Sequence, residues 1–158
     1  MPLPDGLEMT ALSSGDDCVV LQISGELDHF TEQPFRASVG TFLGRGHRHA
    51  VLDCSALTFC DSRGLNCLLS VEWLLERRQG RLLLARVRPN VARVLQLTGT
   101  GALLRTFPTV ERALATLPPE QRPAWPPPAG RHRLPGSRTE SPVSGAPATR
   151  RGSSVEAG

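Results

Sequence analysis

The sequence has no apolar run of the length that a membrane span requires. Crossing a bilayer as a helix takes roughly 18 to 20 uninterrupted apolar residues, and the chain of 158 residues contains no such stretch. Its start, MPLPDGLEMTAL, also lacks the basic segment followed by an apolar segment that is typical of a secretory signal. We therefore expect a cytoplasmic protein that is neither secreted nor membrane-spanning.

Lysine is absent, so all 18 basic residues are arginine, which indicates a GC-rich coding genome and a bacterial source. Up to Leu117, 12 arginines are balanced by 12 acidic residues, and the remainder carries 6 arginines against 3 glutamates. The whole net charge of +3 thus lies in the last segment. A neutral folded part argues against a dedicated basic face for nucleic acid.

Cysteines are few and do not form metal-binding pairs. The sequence contains no CxxC spacing, and no histidine stands at the short spacing that would complete a zinc site. Most of the cysteines sit inside apolar runs, where a free thiol behaves as a small buried side chain. We expect no metal and no bound cofactor. We also expect four reduced structural thiols, at Cys18, Cys54, Cys60 and Cys67.

The composition changes abruptly after Leu117. The segment 118–158 holds nine of the 14 prolines and shows no hydrophobic periodicity, so it cannot bury enough surface to offset the entropy of ordering it. The sequence predicts a folded domain over 7–117 and a disordered tail over 118–158. Arginine clusters and Ser/Thr residues in the tail suit partner binding or modification, and a solvated tail without a ligand explains them as well.

Strand and helix patterns alternate along the predicted domain. A hairpin with a turn at 15–17 opens it, Thr31 caps the first helix, and Gly80 stands where the second helix stops. The order ββαβαβαβα with short links predicts a single α/β domain with a mixed central sheet of about five strands and about four helices. The predicted strands span 8–12, 18–25, 50–57, 81–87 and 103–107, and the predicted helices span 31–43, 62–79, 89–97 and 109–117.

A strand-to-helix turn holds the candidate site, Asp61-Ser62-Arg63-Gly64. A serine at the first position of a helix points its hydroxyl outward among free backbone N–H groups. A phosphate there is stabilised by those donors and by the helix dipole. Gly64 is expected to leave space beside the hydroxyl because it has no Cβ. Aspartate and serine are also ordinary helix caps, so this tetrapeptide alone fits a purely structural role.

Three segments, in the right order, carry a family resemblance: GELDHFTE from Gly25, VLDCSALTFCDSRGL from Val51 and GRLLLARVRPNVARVLQLTG from Gly80. Together they resemble the STAS family of bacterial anti-sigma factor antagonists. The resemblance covers about 7–117, nearly the whole predicted domain, and the D-S-x-G-L element after an L-D strand is a fairly specific signature. It implies a STAS-like fold.

The resemblance implies that a partner anti-sigma factor serine kinase phosphorylates Ser62 with ATP. Ser62 is then a substrate, and the protein is not an enzyme. The resemblance further implies that Asp61 and Gly64 shape the helix start, and that Asp28 lies in a loop close to the phosphorylation site. That loop also includes Gly25, Glu26 and Leu27.

Two further positions follow from the resemblance. Asp53 matches the usual aspartate at the end of the central strand, where a capping or turn role explains it equally well. Arg63 departs from the family pattern, because the position after the serine is often small. Its bulk and charge could alter the choice of kinase or attract the phosphate. The expected partner-binding residues are Asp28, Asp61, Ser62, Arg63, Gly64 and Glu26.

The implied mechanism is a partner switch. The unmodified protein binds the kinase and displaces the sigma factor that the kinase holds. Phosphorylation of Ser62 adds about −1.5 to −2 charges beside Asp61, which penalises docking by repulsion and by desolvation of the phosphate. The complex then dissociates, and a separate phosphatase resets the protein.

Other functions stay open from the sequence. An enzyme with Ser62 as nucleophile would need a base, for which His29 is a candidate, but the elbow G-x-S-x-G is absent because Cys60 occupies the place of its first glycine. A STAS module could also serve as a scaffold in a signalling or lipid-transport complex without direct sigma control. Nucleic-acid binding through the tail is weakly supported, since its longest arginine cluster is Arg150-Arg151.

Overall fold

Strands and helices alternate along the part of the chain that the structure describes, residues 6–127 of a computed structural model. Their order is the one expected from the sequence, and the α/β fold class is confirmed. The strands are β1 (Leu7–Ser14), β2 (Cys18–Leu27), β3 (His49–Cys60), β4 (Leu82–Ala85) and β5 (Arg105–Phe107). The helices are α1 (Glu32–Leu43), α2 (Ser62–Arg77), α3 (Pro89–Leu97) and α4 (Val110–Leu114).

Within residues 6–127 the strands form one five-stranded mixed sheet in the order β1-β2-β3-β4-β5. β1 is antiparallel to β2 across the predicted hairpin, and β2 to β5 run parallel to one another. Each parallel connection therefore passes through a helix. The parallel strands end at the same edge of the sheet, here called the carboxyl edge, so the loops that follow them lie side by side there.

Alternating side chains of the strands supply two cores, one on each face of the sheet. The larger core packs α1, α2 and α3 against residues such as Val19 and Leu21 of β2. The smaller core lies on the opposite face, where Val20 and Val51 contact α4 and Trp125. β3 begins with six buried residues, as its continuous apolar start predicts for a strand covered on both faces.

Some element ends differ from the predicted boundaries. α2 ends at Arg77, and Gln79 rather than Gly80 adopts the left-handed conformation, with φ of 62°. Gly80 is required for another reason, because a Cβ there would overlap the carbonyl group of Arg48. β3 continues past its predicted end to Cys60, so it carries the chain directly to the turn before α2.

The segment 118–127 packs on the domain, although the sequence places it in the tail. Ser13 Oγ donates a hydrogen bond to the carbonyl oxygen of Ala124 at 2.6 Å. On the same segment, Gln121 Oε1 lies 2.7 Å from His49 Nε2. Both bonds join residues more than 70 positions apart in the chain. The folded part thus extends beyond the predicted boundary.

Single side chains, rather than a periodic pattern, attach this segment. Trp125 is partly buried on the smaller core, and Pro123 is buried beside Gly15. A short proline-rich segment of this kind has neither helix nor strand periodicity, so pattern analysis does not detect its packing. The remainder of the predicted tail, 128–158, lies outside the described residues.

All four cysteines are buried free thiols. Burial raises the pKa of the Cys18 and Cys60 thiols to about 12, and it raises the pKa of Cys54 and Cys67 as well. The unfolded protein therefore loses its thiol protons at lower pH than the folded protein does. Below the ordinary thiol pKa of 9.0 the thiols are protonated in both states and the stability that they contribute is fully present. As the pH rises above 9.0, the thiols ionise in the unfolded protein first, and the free energy of unfolding falls.

The absence of lysine and tyrosine makes this effect measurable, because few groups other than the thiols titrate above pH 8. Between about pH 7 and pH 10 we expect the free energy of unfolding to fall by about 1.4 kcal/mol for each thiol that stays protonated in the folded state. Urea unfolding over a pH series measures this fall, and the Cys18→Ala variant should lose one thiol's share of it. Stability that stays constant to pH 10 would contradict the burial of these thiols.

Candidate functional site

The loop after β2 and the start of α2 lie side by side at the carboxyl edge. Leu27, the last residue of β2, pairs with Cys60, the last residue of β3. Asp28 and Asp61 follow them directly, and the backbone N–H of Asp61 donates a hydrogen bond to the carbonyl oxygen of Leu27 at 3.3 Å. The structure thus brings together the two segments in which the sequence predicts site residues.

α2 begins at Ser62, with Asp61 as its cap. Asp61 is extended, with φ of −99° and ψ of −171°, and its Oδ1 accepts a hydrogen bond from the N–H of Gly64 at 2.9 Å. Ser62 is exposed to solvent. Unpaired N–H groups of the first turn and the dipole of a 16-residue helix make this end of α2 positive. Such an environment favours a phosphate over a neutral side chain.

Gly64 faces the sheet, which corrects the expectation that it leaves space beside the serine hydroxyl. The residue is buried, and a Cβ built on it would overlap the carbonyl group of Leu27. Backbone atoms of a central strand cannot move aside without disturbing the sheet. Glycine is therefore required for α2 to start this close to β2.

A buried threonine fixes the loop that follows β2. Thr31 Oγ1 donates a hydrogen bond to the carbonyl oxygen of Glu26 and accepts one from the N–H of Asp28, both at 2.9 Å. Asp28 Oδ1 accepts hydrogen bonds from the N–H groups of Phe30 at 2.9 Å and of Thr31 at 3.1 Å. Thr31 makes no side-chain cap to α1, contrary to the prediction, because its hydroxyl is used inside the loop.

Two exposed aromatic side chains, which are not among the site residues predicted from the sequence, lie at this edge. Phe30 is 81% exposed in the loop after β2, and Phe59 is 44% exposed near the end of β3. The ring of His29 meets the ring of Phe30 edge-on, with 5.2 Å between centroids. Aromatic residues are enriched among the anchors of protein interfaces. Their only signal in the sequence is a phenylalanine in each of two predicted loops.

The last residues of β2 add a negative charge to the carboxyl edge. Gly25 has φ of 109°, and a Cβ there would overlap the carbonyl oxygen of Gly6, which accepts a hydrogen bond from the N–H of Glu26. This contact leaves the side chain of Glu26 exposed. Glu26, Asp28 and Asp61 thus place three acidic residues at the carboxyl edge, and Asp61 directly precedes the α2 start.

Arg63 is bound to α1. Its Nη1 lies 3.0 Å from Glu32 Oε1, and the other carboxylate oxygen of Glu32 lies 3.6 Å from Arg36. Adjacent residues on a helix do not face each other, so Arg63 is directed toward α1 and not over Ser62. The sequence suggested that the charge of Arg63 could attract a phosphate on Ser62. To contact that phosphate, its guanidinium would have to leave Glu32.

Comparison with known proteins adds the family. The family model of the STAS domain matches residues 11–113. The chain is 30% identical over 100 residues to an anti-sigma F factor antagonist from Paenibacillus polymyxa, an alignment that covers 63% of this chain and 86% of that relative. This chain belongs to the STAS-domain family of anti-sigma factor antagonists.

Solved structures of the family share the fold of this STAS domain. An anti-sigma factor antagonist from Mycobacterium paratuberculosis is similar with a TM-score of 0.60 and 28% identity, over 73% of this chain and 97% of that one. SpoIIAA in its unphosphorylated form is similar with a TM-score of 0.59 and 28% identity, over 68% of this chain and 94% of that one. A Bacillus SpoIIAA in its phosphorylated form gives a TM-score of 0.50, over 67% of this chain and 97% of that one. The resemblance drawn from three sequence segments is thereby confirmed.

Asp53 lies inside β3 of the STAS domain and not at a strand end, because β3 runs on to Cys60. Its buried carboxylate accepts a hydrogen bond from the N–H of Ser55 at 3.0 Å and lies 3.6 Å from Nη1 of Arg86. These contacts hold the local backbone of β3 and connect it to Arg86, the residue that follows β4. The structure therefore gives Asp53 a packing role, separate from the start of α2.

Two of the three histidines in the described part of this STAS domain are buried and contact residues outside the candidate site. His47 is buried with its Nε2 3.1 Å from Ser14 Oγ, His49 is buried under the segment 118–127, and His29 is exposed. Within the described part of the chain, no group of three or more His, Cys, Asp or Glu side chains is placed to hold a metal ion. Nor does any helix between residues 6 and 127 have the length and apolar character needed to cross a membrane.

The role of Gly64 can be tested with a matched pair of glycine substitutions. Gly64→Ala should lower the free energy of unfolding by about 2 kcal/mol or more, because its Cβ has to displace backbone. Gly40→Ala, in an open position on α1, should be neutral or stabilise by up to about 1 kcal/mol through helix propensity. Equilibrium urea unfolding compares the two. Equal effects of the two substitutions would show that α2 does not depend on close contact with Leu27.

Proposed function

We propose that this protein is an anti-sigma factor antagonist controlled by phosphorylation of Ser62. In its unphosphorylated form it binds an anti-sigma factor serine kinase and releases the sigma factor that the kinase holds. The protein acts in the bacterial cytoplasm as a regulator and not as an enzyme. ATP is used by the partner kinase, a separate phosphatase removes the phosphate, and neither nucleic acid nor a membrane is a direct partner.

The observation that carries this proposal is an exposed serine at the capped start of α2, next to a rigid loop with an exposed phenylalanine. A kinase can reach the Ser62 hydroxyl, and the positive helix end stabilises the product. The relatives support the same reading, since one is an anti-sigma F factor antagonist and another, SpoIIAA, has a phosphorylated form.

The binding surface would combine apolar anchors with an acidic rim. Phe30 and Phe59 would supply apolar area that becomes buried against the kinase. The charged and positioning residues of this surface would be Glu26, Asp28, Asp61, Ser62, Arg63 and Gly64. Among these, Gly64 acts by allowing the close approach of α2, and Arg63 acts from its ion pair with Glu32.

Phosphorylation would change the charge of this surface and not its shape. A phosphate on Ser62 adds about −1.5 to −2 charges next to Asp61 and near Glu26 and Asp28. In the free protein this charge is solvated and is stabilised by the N–H groups of the first helix turn. In the complex it would be desolvated beside three carboxylates, so the kinase would be released.

An in vitro phosphorylation assay tests the switch. The protein is incubated with ATP and candidate anti-sigma factor kinases from the same genome, and intact mass is read. We expect the wild type to gain one phosphate and Ser62→Ala to gain none, whereas Ser70→Ala, on the same helix, should be modified like the wild type. Loss of kinase binding should accompany the modification, by at least about tenfold in Kd.

Two results would count against this proposal. If the protein binds an anti-sigma factor with the same affinity before and after phosphorylation, phosphorylation does not control binding and the proposed switch is wrong. If none of the candidate anti-sigma factor kinases from the same genome modifies the protein, a STAS scaffold without direct sigma control is favoured.

The aromatic anchor can be tested separately from the phosphate. Phe30→Ala should weaken binding of the unphosphorylated protein to its kinase by about tenfold or more, because an interface anchor of this size contributes about 2 kcal/mol. Leu97→Ala is the control, since Leu97 is also highly exposed, at 76%, but lies at the end of α3. Isothermal titration calorimetry measures both. If the two variants bind equally well, Phe30 is not part of the interface.

A further inference from the structure

A groove runs along the outer side of α2, distant from Ser62. Leu69, Trp73 and Leu103 are its large apolar lining residues, and its volume is about 450 Å³. Trp73 is 56% exposed and Leu103 is 61% exposed. The guanidinium of Arg77 lies 4.7 Å from the centre of the Trp73 ring, which favours one orientation of the indole. This surface is called the α2 groove below.

Opposite charges line the two walls of the α2 groove. Glu72 and Glu76 belong to α2, whereas Arg81 precedes β4 and Arg105 begins β5. Glu72 is already engaged, because its Oε1 accepts a hydrogen bond from the N–H of Leu82 at 3.0 Å. Glu76, Arg81 and Arg105 form no ion pair within the described part of the chain. These three charges are therefore available to a second molecule.

We propose that the α2 groove is the contact surface of a symmetric homodimer. A two-fold contact uses the same patch on both subunits, so the acidic wall of one copy faces the basic wall of the other. In this arrangement Glu76 opposes Arg105 of the partner subunit, and the exposed side chains of Trp73 and Leu103 become covered by those of the other copy. A partner with charge of one sign would instead be repelled by one of the walls.

The overall charge and the sheet edge support a second copy as the occupant. Up to Leu117 the chain carries 12 arginines and 12 acidic residues, so two folded parts do not repel each other. β5, the edge strand beside the groove, has only three residues and begins with an exposed arginine. A short, charged edge disfavours strand addition, which leaves side-chain contact through the groove.

The α2 groove extends from the middle of α2, at Leu69, toward its carboxyl end, whereas the proposed phosphorylation site is the first residue of α2. Ser62 and Glu76 are separated by about 21 Å along the helix axis, at 1.5 Å per residue. Arg81 and Arg105 stand at the amino ends of their strands, whereas Ser62 stands at the carboxyl edge. The homodimer therefore leaves Ser62 and Phe30 accessible and does not depend on the proposed function.

Sedimentation velocity of the full chain tests the homodimer over about 1 to 500 µM. We expect a concentration-dependent change from monomer to dimer. Glu76→Arg and Arg105→Glu each place like charges across the two-fold contact and should raise the dimer Kd by at least about tenfold. An equimolar mixture of these two variants should regain the wild-type Kd, because both contacts of the mixed dimer then join opposite charges. Leu103→Ala should also weaken the dimer, whereas Phe30→Ala should not.

Several outcomes would overturn the homodimer through this surface. A monomer at every concentration would do so, as would a dimer that neither charge reversal weakens. A mixture that fails to regain the wild-type Kd would show that the two walls do not face each other. A dimer weakened by Phe30→Ala would place the contact at the carboxyl edge. None of these results changes the reading of the phosphorylation assay on Ser62.

Discussion

The start of α2 can approach the end of β2 because residue 64 has no side chain. Gly64 packs on the carbonyl group of Leu27, and Asp61 both caps the helix and hydrogen-bonds to the same carbonyl through its backbone. These contacts fix the position of Ser62 relative to the loop after β2. Two segments that are far apart in the chain thereby form one surface, whose shape is set by backbone contacts and not by mobile side chains.

The loop after β2 is ordered by the same kind of local contact. The buried hydroxyl of Thr31 and the carboxylate of Asp28 satisfy the backbone groups of the loop. The backbone is thus satisfied without help from the core, which leaves Phe30 exposed in a defined position. An aromatic side chain on an ordered loop leaves little backbone entropy to lose on binding, so this arrangement suits recognition of a partner more than it suits stability of the free domain.

Periodicity predicted the order of the elements because each one buries a regular stripe or face, and the α2 start was found because capping residues mark helix ends. The family resemblance predicted which turn carries the site. Features that depend on single contacts were missed or misplaced. The direction of Gly64 depends on the approach of Leu27, Asp53 depends on the full length of β3, and the segment 118–127 packs through isolated side chains. None of these contacts leaves a pattern in the chain.

The charged residues near the two ends of α2 would have opposite effects on binding: those near the amino end repel a phosphate, and those near the carboxyl end attract a second copy. At the amino end, Glu26, Asp28 and Asp61 share the carboxyl edge with a serine whose phosphate would be stabilised by the helix as long as water screens the carboxylates. A partner that excludes this water strengthens the repulsion between the phosphate and the carboxylates. The repulsion therefore destabilises the complex much more than it destabilises the free protein. At the far end, Glu76 and Arg105 are complementary, and exclusion of water there strengthens attraction. If both proposals hold, the same helix would lose one partner on phosphorylation while its other end would keep a second copy bound.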